Sequence, residues 1–181
     1  MNKNQKHLNH INTVNLGSYY IPDIIVNLTY SILQKNIVDI KNFTILDSSC
    51  GYGSFLMKKN IAKRLVGADV DSEAITEAKK STNGIDFFCQ NSLLNVCRKN
   101  LSLKEGEGLI VIGNPPYNDT TSIIRNSIKD LTVQDKIDTD IKTRDLGMSF
   151  LLLYNKLQAD YVCVLHQLSF LQFFYSSKFM F

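Results

Sequence analysis

Short apolar runs alternating with helix-patterned stretches are the feature that most narrows the folds open to this chain. Phe43–Asp47, Arg64–Ala68, Ile85–Cys89, Gly108–Gly113 and Tyr161–His166 each read as a strand. Between them, Ser54–Asn60 reads as a short helix and Asp71–Ser81 as a longer one. Its Glu73 and Glu77 come early and its Lys79 and Lys80 late, which suits the helix dipole. Met148–Leu157 is a further helical stretch. A helix over 22–35 comes first, with Pro22 in its opening turn and Ile24, Ile25, Leu28, Ile32 and Leu33 on the face expected to be buried. Parallel neighbours need a long crossover, and a helix supplies it, so this alternation predicts an α/β fold with a doubly wound, mainly parallel, Rossmann-like sheet. In such sheets ligands bind beyond the carboxyl ends of the strands.

A chain of 181 residues with 44% apolar side chains is long enough for one domain with a full core. Its net charge of +3 permits a nucleic-acid partner without requiring one. There is no run of 18 apolar residues to span a membrane, and the start MNKNQKHLNHIN lacks a signal peptide's apolar stretch. Cys50, Cys89, Cys97 and Cys163 share no CxxC spacing and have no His at ligand distance. No metal site or disulfide framework is therefore expected, and a reducing cytoplasm is the default location.

Two strand ends carry the features of a nucleoside site. In 43-FTILDSSCGYGSFL-56 a strand enters a turn with Gly51 and Gly53, where small residues let a ligand approach the backbone. Leu56 stands where GxGxxG needs its third glycine, and the Walker pattern is absent, so a pyrophosphate is not indicated. At the end of the next strand, Asp69 in 66-VGADVD-71 can accept both hydroxyls of a ribose. Asn91, after the third strand, can either meet an adenine edge or cap a turn.

Two of only three prolines stand together in 111-VIGNPPYNDT-120. Pro116 forces Pro115 into an extended conformation and both have fixed φ, so the Pro115 carbonyl is rigidly aimed. The Asn114 side-chain oxygen is a second acceptor and Tyr117 a flat face. Two acceptors beside an aromatic plane suit a planar molecule bearing NH₂. Accepting both N–H bonds favours a pyramidal nitrogen whose lone pair can meet an electrophile, and stabilises the positive charge that develops.

In these motifs and their order the chain resembles the γ-type N6-adenine DNA methyltransferases of restriction–modification systems, which use S-adenosyl-L-methionine. The stretch 17-GSYYIP-22 resembles the family's leading motif, 46-LDSSCGYGSFL-56 the cofactor loop, 67-GADVD-71 the ribose acid and 113-GNPPY-117 the catalytic motif. The later stretch 161-YVCVLHQLSFL-171 resembles the strand that the family ends with Ser-Phe-Leu. The resemblance implies a class I methyltransferase fold. It places Tyr20 and Ile21 at the methionine carboxylate, Asp47 near the methionine amine, and Ser49, Cys50, Gly51 and Gly53 along the cofactor loop. Asp69 and Val70 would lie at the ribose, and Asn91 and Ser92 at the cofactor adenine. Asn114 and Pro115 would accept the target amine, with Pro116 holding them and Tyr117 stacking on an adenine flipped out of double-stranded DNA.

Ile21 replaces the family's threonine and Asn91 its aspartate. Residues 1–16 read as a polar leader, 17–171 as the catalytic domain, and 172-QFFYSSKFMF-181 as an aberrant or docked tail. The family's remaining strands, second base-stacking aromatic and target recognition domain have no counterpart, so the sheet is expected to be incomplete. Specificity would then come from a separate specificity or nuclease subunit, or the chain would be an inactive remnant. An N5-glutamine protein methyltransferase also fits, because a side-chain amide presents the same planar NH₂. A nuclease reading of Pro22-Asp23 with Asp39-Ile40-Lys41 needs acids at strand ends, whereas Asp23 starts a helix. His166 and the charged run 136-KIDTDIKTRD-145 have bland readings, the latter as a solvated face whose Lys142 and Arg144 can touch phosphates.

Overall fold

A computed structural model describes residues 21–58, 60–117 and 136–167. The polar leader, Tyr20 and most of GSYYIP, residues 120–135, the Ser-Phe-Leu of 169–171 and the tail 172–181 lie outside the described residues. Within them the order is α1 (Asp23–Asn36), β1 (Thr44–Asp47), β2 (Arg64–Asp69), α2 (Ser72–Ser81), β3 (Asp86–Cys89), β4 (Leu109–Gly113), α3 (Leu146–Lys156) and β5 (Tyr161–Val164).

The five strands form one all-parallel sheet in the order β3-β2-β1-β4-β5. Alternate residues of the central strands enter two separate cores, as a sheet covered on both faces requires. Ile45, Leu65, Ile110 and Ile112 pack with Val26, Tyr30 and Leu33 of α1 and Ile75 and Ala78 of α2. Leu46, Val66, Leu109 and Val111 pack on the other face with Leu93, Val96, Phe150 and Leu153. The crossovers change face between the β1–β3 half and the β4–β5 half, so β1 and β4 flank the switch point where ligands bind.

Four expectations need correction. The buried face of α1 is Val26, Thr29, Tyr30 and Leu33, whereas Ile24, Leu28 and Ile32 are exposed. The helix carries two apolar stripes, and the buried one also brings the Tyr30 hydroxyl within 2.6 Å of the buried Phe55 carbonyl, to which it donates. Where it is described, Ser54–Asn60 is not an α-helix. It is a single 3-10 turn, Ser54–Leu56, opened by left-handed Gly53 (φ 77°), and Asn60 is also left-handed at φ 63°. A helix nucleus this short gains too few hydrogen bonds to propagate. Third, α3 begins at Leu146 rather than Met148, because the Asp145 carboxylate accepts from the N–H groups of Gly147 (2.8 Å) and Met148 (3.3 Å).

The run 136–145, fourth, is not simply solvated. Ile137 and Ile141 enter the second core, and Asp138 accepts from the N–H groups of Asn95 and Val96 at 2.7 Å each. Lys142 and Arg144 are exposed. The described cysteines are all free. Asp23 heads α1 and Asp39 precedes a 3-10 turn, so neither acid stands at a strand end.

Candidate active site

β1 delivers Asp47 to the carboxyl edge of the sheet, where it is only 1% exposed. Its Oδ1 accepts from the Ser49 N–H at 3.2 Å. Burial is the main force lifting its pKa, to about 8. The Ser49 N–H opposes the rise and the charge of Asp69 adds to it. β4 closes the other side with Gly113. A Cβ there would stand 2.6 Å from Asp47 Oδ1, and φ is 145°, so only glycine fits.

The turn after β1 is stitched to β2. The Cys50 N–H donates to the Ala68 carbonyl at 3.0 Å, and the Gly51 N–H to Asp69 Oδ2 at 2.7 Å. The Asp71 N–H donates to Asp69 Oδ1 at 2.9 Å. Burial again raises the Asp69 pKa, against these backbone donors. Each Asp69 oxygen keeps a lone pair beyond its backbone bond, so the carboxylate is oriented yet can still accept two hydroxyls. Gly53 is needed because a Cβ would meet the Phe87 ring at 2.8 Å. The Ser49 hydroxyl is buried with no hydrogen-bond partner among the described residues. A buried hydroxyl left unpaired is costly, and a ligand acceptor at this turn would relieve it. The Cys50 thiol is pushed up by burial and by Asp47 and Asp69, which keeps it out of thiolate chemistry.

The remaining residues expected at the cofactor divide. Val70 is 39% exposed at the rim beside Asp69. Asn91 Oδ1 accepts from the Leu93 N–H at 3.0 Å while its Nδ2 donates to the Lys136 carbonyl at 2.9 Å, a turn role. Ser92 donates to the Ser48 carbonyl at 2.8 Å and so ties the end of β3 to the end of β1. Ile21 is buried in the first core at the foot of α1.

Asn114-Pro115-Pro116-Tyr117 follows β4 directly, with Pro115 buried and the other three half-buried. The Tyr117 hydroxyl lies in hydrogen-bond contact with the Asn114 carboxamide and with the Leu165 carbonyl, 2.6 Å away. Burial pushes the phenol pKa up to about 12, so it is neutral and protonated at physiological pH. His166 packs at 5.3 Å between ring centroids, tilted by 60°. Burial holds the His166 pKa down, and a Cβ on Gly147 would come within 2.8 Å of its Nε2.

Sequence reasoning gave no role to Gly113, to Leu165 or to the contact of Ser48 Oγ with the Tyr154 hydroxyl at 3.4 Å. The glycine ending a strand just before Asn114 was the available signal. Nothing local pointed to Leu165 or Tyr154, which reach the site only through the sheet and α3.

The all-parallel sheet in the order 3-2-1-4-5 superposes on a putative class I S-adenosylmethionine-dependent methyltransferase of Listeria monocytogenes, with a TM-score of 0.55 and 18% identity. The fold is that of the class I methyltransferases. The match covers 83% of this chain and 47% of that one. A methyltransferase subunit of a type I restriction–modification system from Streptococcus thermophilus is also similar, with a TM-score of 0.53 and 17% identity over 82% of this chain and 34% of that one. Among curated proteins, a putative protein N5-glutamine methyltransferase of Methanocaldococcus jannaschii is 32% identical over 96 residues, 50% of this chain and 45% of the relative. The chain thus spans about half the length of the curated relatives it matches. No family model matches.

Proposed function

We propose that this chain is the catalytic part of an S-adenosylmethionine-dependent methyltransferase acting on a planar NH₂ group, with the N6 amine of adenine in DNA as its target. One observation carries the reading. The Asn-Pro-Pro-Tyr segment ends β4 at the switch point, and its preceding Gly113 lies against Asp47 of the cofactor side. The cofactor would supply an electrophilic methyl group on a sulfonium. Asp69, oriented by two backbone N–H groups, would hold the ribose hydroxyls, and buried Asp47 would face the cationic methionine amine. The unpaired Ser49 hydroxyl and the open backbone of Gly51 are consistent with that occupant.

On the amine side, the Asn114 oxygen and the Pro115 carbonyl accept the two N–H bonds, withdrawing the lone pair from the ring and stabilising charge on nitrogen. The neutral Tyr117 ring stacks on the base and removes no proton. A strong base is not required, since nitrogen becomes acidic once it is cationic. DNA as substrate, with a separate subunit for specificity, is supported by the leading GSYYIP motif and by the likeness to restriction–modification subunits. N5-glutamine methylation is the second reading, favoured by the archaeal relative.

Calorimetry of S-adenosylmethionine on the intact chain and on Asp69→Ala tests the cofactor site. The substitution should weaken binding by about tenfold or more, the loss of a charge-assisted pair of hydrogen bonds. A well-folded chain that does not bind the cofactor overturns the proposal. Transfer of a labelled methyl to DNA, against transfer to a glutamine-containing protein substrate, then separates the two readings.

A further inference from the structure

The Tyr117 hydroxyl meets two groups placed as acceptors, the Asn114 carboxamide oxygen and the Leu165 carbonyl. A neutral phenol has one proton and can satisfy one of them. A backbone carbonyl cannot donate, so Leu165 takes the proton. The contact with Asn114 is then attractive only with the carboxamide turned so that Nδ2 donates to the phenol oxygen. Exchanging Nδ2 and Oδ1 is a half-turn of the amide plane that leaves the heavy-atom outline unchanged.

From this we infer that the Tyr117 hydroxyl is a positioning group, fixing the Asn114 carboxamide with its NH₂ toward the phenol and its oxygen toward the substrate amine. The inference rests on the methyltransferase reading for its consequence but not for its geometry. An asparagine without such a partner presents NH₂ or oxygen with similar ease. NH₂ facing a substrate NH₂ sets donor against donor and withdraws one of the two acceptors. The phenol is itself anchored. Leu165 follows β5, its N–H donates to the Gly113 carbonyl at 2.9 Å, and the tyrosine ring is packed against His166. The end of β5 therefore sets the rotamer of a residue at the end of β4. Tyr117 has two separable duties, a ring that stacks and a hydroxyl that aims its neighbour.

Tyr117→Phe keeps the ring and deletes the hydroxyl. In nitrogen-15 spectra of the wild-type chain, with the Asn114 side-chain amide assigned by its loss in Asn114→Asp, the Nδ2 protons should show cross-relaxation to the Tyr117 ring. One of them should also exchange slowly with solvent. That exchange should accelerate about tenfold or more in Tyr117→Phe, as expected for loss of one protecting hydrogen bond. Absent cross-relaxation in the wild type, or unchanged exchange in the variant, overturns the inference. Neither measurement needs turnover, and the wild-type one does not depend on the variant folding.

In methyl-transfer assays Tyr117→Phe should lower kcat about tenfold with KM within about twofold, as for an interaction made only in the transition state. In an Asn114→Ala background it should lower kcat no further. Equal losses in both backgrounds overturn the inference. A wild-type chain inactive on DNA and on glutamine substrates would instead overturn the proposed function, leaving the spectra to decide the geometry.

Discussion

Asp47→Asn should flatten the pH dependence of this chain's stability between about pH 4 and pH 8. The carboxyl is 1% exposed, and burial is the main cause of a pKa of about 8 against an ordinary 3.8. Below about pH 4 the group is protonated in both the folded and unfolded chain and contributes no slope. Between there and about pH 8 the folded chain keeps a proton that the unfolded chain has released, so stability falls as pH rises. Above about pH 8 both forms are ionised and the loss is complete. At about 1.4 kcal/mol per tenfold in proton affinity, the full difference approaches ~6 kcal/mol. Relaxation around the new charge, with water entering beside it, reduces the observable change to a few kcal/mol. The test is urea unfolding of wild type and Asp47→Asn at half-unit steps from pH 5 to 8.5. The wild-type midpoint should fall with pH, the variant's should fall much less, and the variant should be the more stable at the alkaline end. The other carboxylates titrate in both proteins, so the difference reports Asp47 together with its coupling to Asp69. Parallel profiles would refute the reasoning.

Gly113→Ala combines a left-handed φ with a Cβ 2.6 Å from Asp47 Oδ1. It should cost about 2–4 kcal/mol and abolish S-adenosylmethionine binding, as read by thermal unfolding and calorimetry. Arg98 is buried and donates to the carbonyls of Leu157, Lys104, Glu107 and Gln158 at 2.7–3.1 Å. Arg98→Met orphans those acceptors and should lower stability by about 3–5 kcal/mol with the cooperativity of urea unfolding retained. Asp145→Ala removes the cap of α3 and should cost about 1 kcal/mol in the same assay.

What could be read from the sequence follows the range of the interactions involved. β4 was legible because Leu109–Gly113 is a continuous run of apolar or small residues, all buried, whereas the half-exposed edge strands β3 and β5 were legible only as short apolar runs between helical stretches. The tie between the glycine turn and Asp69 was legible because a turn and a strand-end acid are adjacent elements. The buried face of α1 was not, because two apolar stripes compete and the choice rests on packing against Phe55, Leu56 and the sheet, far along the chain. The start of α3 was legible in principle from Asp145, whose carboxylate precedes the helical run, but periodicity alone pointed two residues later. Asn91 could be a turn residue or a ligand from its sequence, and its contact with the Lys136 carbonyl comes from a distant segment. The identity of the amine motif was local, whereas the aim of its asparagine depends on β5.

The contact between Asp47 and Gly113 explains why the two halves of the site should not be treated as independent. In a doubly wound sheet the chain leaves β1 and β4 toward opposite faces, so a crevice opens between their carboxyl ends. Here Asp47 reaches the wall of that crevice formed by Gly113, the residue before Asn114, with no intervening side chain. The Leu165 N–H donates to the carbonyl of the same Gly113, and the Leu165 carbonyl accepts from the Tyr117 hydroxyl. Gly113 is therefore the point where Asp47, Asn114 and, through Leu165, Tyr117 meet, the residues proposed for the cofactor, the amine and its positioning. A shift of a few tenths of an ångström in that residue moves all three together. Substitutions at Gly113 and Asp47 should accordingly be non-additive, because each alters the packing that sets the other, whereas Arg98→Met, whose partners Leu157 and Gln158 lie past the opposite end of α3, should add to either.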